Sequence, residues 1–156
     1  MLWAVVGIPA AVGLAVLTPS LRRARPALLL LGALAHAVVV AFICLRPPAF
    51  EPDAWIALDA PGRLFLAVTS LLFLAAATYA VGYLRTEQGR TTRDTEEGFL
   101  FRNEPEGVFA GCLLLFLASM SLVCVSQHLG LLWVAVEATT LASAPLISYH
   151  RHHRSL

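Results

Sequence analysis

The chain has 156 residues, 58% of them hydrophobic and 13% charged, and its 11 basic and 10 acidic side chains leave a formal net charge of +1. The apolar residues come in long runs rather than in the spaced stripe of a soluble helical bundle, which points to an all-α polytopic membrane protein in contact with the lipid bilayer. Nucleic acid is excluded as a partner, because the basic residues cluster beside apolar runs instead of forming a face interleaved with aromatics.

A bilayer is crossed by about 20 predominantly apolar residues, within a range near 17 to 25. Five stretches meet or approach that length, at residues 2–17, 27–45, 63–84, 108–125 and 129–147, so one membrane domain of five helices is expected over 1–156. The first stretch is the shortest and stops at Thr18, Pro19 and Ser20, ahead of Arg22, Arg23 and Arg25. No positive residue precedes its apolar core and no small-x-small cleavage site follows it, so it reads as an uncleaved span and not a signal peptide. The second begins after Pro26, tolerated in a first helical turn, and ends before Arg46, Pro47 and Pro48. His36 lies in its middle, a neutral packing residue or a minor member of a proton pathway.

Residues 47–61 read as a loop, with Trp55 resting at the membrane interface as aromatics do. Asp59, ahead of Ala60, Pro61 and Gly62, suits the N-cap of the third helix. Tyr79 and Tyr83 form an aromatic belt near the far end of that helix, and Arg85 closes it. The segment 85–107 mixes both charges with glycines and is a solvated loop, too polar to span. The fourth helix carries Ser119, Ser121 and Ser126, which can bond across to a neighbour. Gln127 and His128 then make a tight turn into the fifth.

With the carboxyl terminus inside, Arg22, Arg23, Arg25, Arg85, Arg90, Arg93, Arg102, Arg151 and Arg154 are cytoplasmic, against Arg46 and Arg63 outside. The positive-inside rule therefore gives an N-out, C-in arrangement in the cytoplasmic (inner) membrane, with 85–107 a cytoplasmic loop.

Glu137 is the only acid of the chain inside an apolar segment. A charge at the bilayer centre costs roughly 2.5 to 3.5 kcal/mol on insertion scales, so intramembrane carboxyls are usually functional. Its helical face also carries Gly130, Trp133, Thr140, Leu141, Ala144 and Ser148. This small and polar surface is expected to point into a bundle rather than lipid, with Thr140 hydrogen-bonding the carboxyl. A carboxyl in low dielectric takes up or releases its proton as a counter-charge leaves or approaches. The chain has no lysine, and Arg63 and Arg85 lie at helix ends, so the counter-charge must come from a chain continuation or another subunit; otherwise Glu137 stays protonated beside serine or threonine.

The string SQHLGLLWVAVEATTLASAPLISYHRHHRSL, residues 126–156, resembles the antiporter-like subunits of respiratory complex I and its relatives, closest to the antiporter-like membrane subunit of hydrogenase-4 and formate hydrogenlyase. The earlier string LDAPGRLFLAVTSLLFLAAATYAVGYLR, residues 58–85, is similar to that family's third helix. The resemblance implies that Glu137 belongs to a proton-translocation pathway and faces a lysine on a seventh helix. It also implies that this chain corresponds to the three leading helices and the first two helices of an inverted repeat, stopping where a sixth would begin. The partners implied are other membrane subunits, one of which, or a continuation of the chain, supplies the intramembrane lysine. His128 stands where the family often has Asn or Asp, and no role is carried onto it.

Other chemistry finds no footing. Cys44, Cys112 and Cys124 are odd in number and far apart, giving neither a disulfide framework nor a metal spacing. The terminal HRHHR, residues 150–154, lacks a carboxylate or cysteine to complete a metal shell and reads as a basic juxtamembrane anchor. No phosphate loop, nucleophile elbow, flavin or nicotinamide fingerprint or iron–sulfur spacing occurs, so no cofactor is expected. The chain is at most a proton-translocating subunit of an oxidoreductase complex whose redox site lies elsewhere. Two other readings stand beside this one: a non-catalytic membrane scaffold or truncated remnant that packs on partner subunits, and a subunit of a multi-subunit cation/proton antiporter or inorganic-carbon complex.

Overall fold

A computed structural model describes residues 1–50, 54–87, 92–93, 100–101 and 106–147. Five α-helices follow one another: α1 (Leu2–Leu17), α2 (Arg25–Leu45), α3 (Ala60–Glu87), α4 (Glu106–Val125) and α5 (Leu129–Ile147). A short 3₁₀ turn (Pro19–Ala24) joins α1 to α2, and between α3 and α4 β1 (Thr92–Arg93) pairs antiparallel with β2 (Leu100–Phe101). The expected boundaries hold for α1 and α5, while α2, α3 and α4 begin two or three residues early and α3 runs on to Glu87. The early starts have local causes. Pro26 fits the first turn of α2 because it needs no donor there. Asp59 Oδ1 accepts the Gly62 amide at 2.7 Å, capping α3 at Ala60 as the sequence predicts.

Four helices, α2 to α5, are long and apolar enough to cross a membrane. The 16 residues of α1 fall short. At 1.5 Å per residue they span about 24 Å, against about 30 Å of hydrocarbon. The polytopic all-helical class thus stands with four candidate spans in place of the five expected.

α4 is the hub, with α1, α2, α3 and α5 all packed against it. The buried residues of α2 (Leu29, Gly32, Ala33, His36, Val40, Ile43) and of α3 (Leu66, Ser70, Phe73, Ala77, Ala80, Val81) recur at helical spacing, so each helix turns one stripe inward. Their outward faces are equally apolar: Leu31, Leu34 and Val38 on α2 and Leu64, Phe65, Leu71 and Leu72 on α3 are exposed. Apolar residues on both faces suit a bundle whose surroundings are lipid.

The interior divides into two apolar layers. One gathers Val16, Leu29, Ala33, Phe73, Ala77, Leu114 and Leu117; the other gathers Val5, Val40, Ile43, Leu58, Leu66 and Val125. Where α1 crosses α4, an ideal Cβ on Gly13 would lie 3.1 Å from the Gly111 carbonyl oxygen, and one on Gly111 would lie 2.7 Å from Leu17 Cδ2. Only glycine lets the two backbones approach this closely.

The ends of the bundle are distinct. The Arg25 guanidinium lies over Gly107, where a Cβ would be 2.6 Å from its Cζ, so the α1–α2 turn sits beside the start of α4. At the opposite end the α2–α3 connection pairs with the α4–α5 turn. Ile56 bridges Ser126, Ala57 donates its amide to the Val125 carbonyl at 3.0 Å, and Gln127 donates its own to the Trp55 carbonyl at 3.0 Å.

Candidate functional site

α5 places Glu137 halfway along a helix that otherwise carries no charge. α5 packs chiefly on α4; Leu131, Leu132, Ala138, Thr139 and Ala142 are half-buried, and Ala135 is its one fully buried residue. Glu137 lies on the other side, exposed together with Trp133, Val134, Thr140, Leu141 and Ala144. The expected shared face of Glu137, Trp133, Thr140, Leu141 and Ala144 is therefore present, and Ser148 lies outside the described residues. The expectation that this face points into a bundle is not met among the described helices, because α4 occupies the opposite face and nothing described packs on this one.

Thr140 does not bond the Glu137 carboxyl. Its Oγ1 donates to the Glu137 backbone carbonyl at 2.7 Å. Thr139 does the same to Val136 at 2.6 Å, and Ser143 to Thr140 at 2.9 Å. The correction follows from hydroxyl chemistry: on a helix the nearest acceptor for a threonine or serine is a carbonyl of the preceding turn, and a carboxylate one turn away reaches outward. Among the described residues no side chain is bonded to the Glu137 carboxylate, which leaves its polar requirement open on the exposed face.

His36 is enclosed completely, at 0% exposure. Its Nδ1 lies 3.1 Å from Ser70 Oγ on α3, and its Nε2 lies 2.9 Å from Ser121 Oγ on α4. Ser121 has one hydroxyl proton, and that goes to the Leu117 carbonyl at 2.7 Å. Ser121 must therefore accept from His36 Nε2–H, and in the neutral ring Nδ1 is left to accept the Ser70 hydroxyl. All three side chains are satisfied at the level between the two apolar layers. His36 thus ties α2, α3 and α4 together and does not meet Glu137, which faces away from all three on α5.

Of the serines expected to bond across to a neighbour, Ser121 does so, as the acceptor from His36. Ser119 donates to its own helix at Phe116, and Ser126 Oγ donates to the His128 carbonyl within the turn. Cys44, Cys112 and Cys124 are free thiols, and among the described residues no group of histidine, cysteine and acid residues could hold a metal. The 150–154 anchor lies outside the described residues.

Sequence reasoning missed His128. The Gly130 amide donates to His128 Nδ1 at 3.2 Å, so this side chain caps α5. Its ring also stacks on Trp55, with centroids 4.7 Å apart and planes 12° apart. The available signal was a polar residue one position before an apolar run with glycine two places on, but histidine is not among the preferred capping residues. Trp55, assigned to the interface, is exposed apart from this stack.

No family model, curated protein or solved structure matches the chain.

Proposed function

We propose that the chain is the amino-terminal segment of an antiporter-like subunit that contributes to proton translocation in a hydrogenase- or NADH dehydrogenase-like complex of the cytoplasmic membrane. Glu137 is its intramembrane proton-carrying carboxylate. The observation carrying this reading is the exposed position of Glu137 midway along an apolar α5, on a face that no described helix covers. A carboxylate so placed calls for a cationic or hydrogen-bonding partner from outside these helices, since a lone charge in hydrocarbon is costly. A chain continuation or second subunit presenting an intramembrane lysine meets that demand. Thr140, one turn away, lines the same face, and His36 is a structural tie in this scheme rather than a relay. The chain runs N-out, C-in, with the arginine-rich end cytoplasmic.

The decisive test is Glu137→Gln in the native complex, read as proton translocation per electron pair. Translocation falls while assembly persists; unchanged translocation removes the proton role.

A further inference from the structure

We propose that His128 is a pH-sensitive latch on the start of α5, closed when its ring is neutral and released when it is protonated. Two contacts meet at its ring. Nδ1 accepts the Gly130 amide at 3.2 Å, which fixes the proton of the neutral ring on Nε2. The ring stacks on Trp55, and the backbone of Trp55 in turn accepts the Gln127 amide at 3.0 Å. Gly130 admits the ring because an ideal Cβ there would already press on it, 3.3 Å from Cε1 and 3.3 Å from Nδ1. One imidazole therefore joins the start of α5 to the α2–α3 connection.

Protonation acts on this arrangement in one direction. A proton on Nδ1 turns the acceptor into a donor, which cannot receive the Gly130 N–H. It also places a cation at a helix amino terminus, where the macrodipole disfavours positive charge. Imidazole is the side chain that changes charge between about pH 5 and 8. The cap is thus present with the neutral ring and lost with the protonated one. Among the described residues the groups in contact with the ring are neutral: Trp55 from the α2–α3 connection and Gly130 from α5. No acid among the described residues pairs with it; Glu51 and Asp53, close to Trp55 in sequence, lie outside them. The helix whose first turn the latch caps is the one that carries Glu137.

The test uses the full chain in mild detergent with Trp3→Phe and Trp133→Phe, both exposed positions, leaving Trp55 as the sole reporter. Amide exchange at residues 130–132, corrected for intrinsic rates, accelerates about fivefold from pH 8 to pH 5, the factor that loss of a typical cap corresponds to. Trp55 emission changes over the same interval. In His128→Asn, which keeps a capping oxygen but cannot titrate, both signals stay flat. Exchange at 130–132 that does not depend on pH in the unmodified chain overturns the proposal. So does the same pH profile in His128→Asn, since that assigns the effect to another group such as Glu51 or Asp53.

Discussion

Ser121 shows how one hydroxyl decides the chemistry of its neighbours. Its proton is held by the Leu117 carbonyl, so it can only accept from His36, and the direction of every bond in the Ser70–His36–Ser121 chain follows. Ser121→Ala strands a buried ring N–H and is expected to cost about 1–2 kcal/mol, at the upper end of interhelical hydrogen bonds in membranes. His36→Leu removes the ring altogether. The two serines can then turn to carbonyls of their own helices, as Ser121 already does, so this larger change costs less than Ser121→Ala. Unfolding of both variants in mixed micelles titrated with denaturing detergent ranks them, and the reverse order would show that ring packing and not hydrogen bonding sets the stability here.

Individual helices are fixed by their ends and by the closeness of their crossings. Asp59→Ala withdraws the oxygen that accepts the Gly62 amide, for an expected loss of about 1 kcal/mol. Amide exchange at Gly62 reports it directly and should speed while exchange in the middle of α3 does not. Gly111→Leu drives a side chain into Leu17 and toward the backbone oxygen of Gly13, an overpacking worth about 1–3 kcal/mol. Because α1 is short and held largely by α4, the damage appears as loss of the α1–α4 contact, measurable as cross-linking between cysteines placed on the two helices. Gly7→Leu is the control: nothing lies within 4 Å of a Cβ there, so cross-linking should be unchanged.

For the whole molecule, the pairing of connections divides the bundle into two ends. The α1–α2 turn and the start of α4 share one end, while the α2–α3 connection and the α4–α5 turn share the other. A single cysteine at Ser20, in a chain whose native cysteines are replaced by alanine, should therefore react with an impermeant maleimide from one side of the membrane. Those at Phe50 and Gln127 should react from the opposite side. The proposed N-out, C-in arrangement further requires Ser20 to be cytoplasmic. Labelling of Ser20 and Phe50 from the same face would contradict the bundle itself, whereas labelling of Ser20 from outside and of the other two from inside would reverse only its orientation.

The sequence by itself determined the existence, type and near boundaries of the helices, because long apolar runs between prolines, glycines and charges leave a chain in hydrocarbon no other way to satisfy its backbone. It also located Glu137 and the Asp59 cap, since each is legible from a charge or a capping residue within a few positions of one helix. It did not foresee which side of α5 would meet α4. Helix faces that are apolar all round carry no periodic signal of their inward stripe, so only packing assigns them. The His36 tie and the stacking of His128 on Trp55 were hidden for a related reason: the first joins side chains 34 and 85 residues apart, and the second pairs rings on two connections far apart in sequence. Such contacts are products of the tertiary structure, and sequence spacing carries no trace of them.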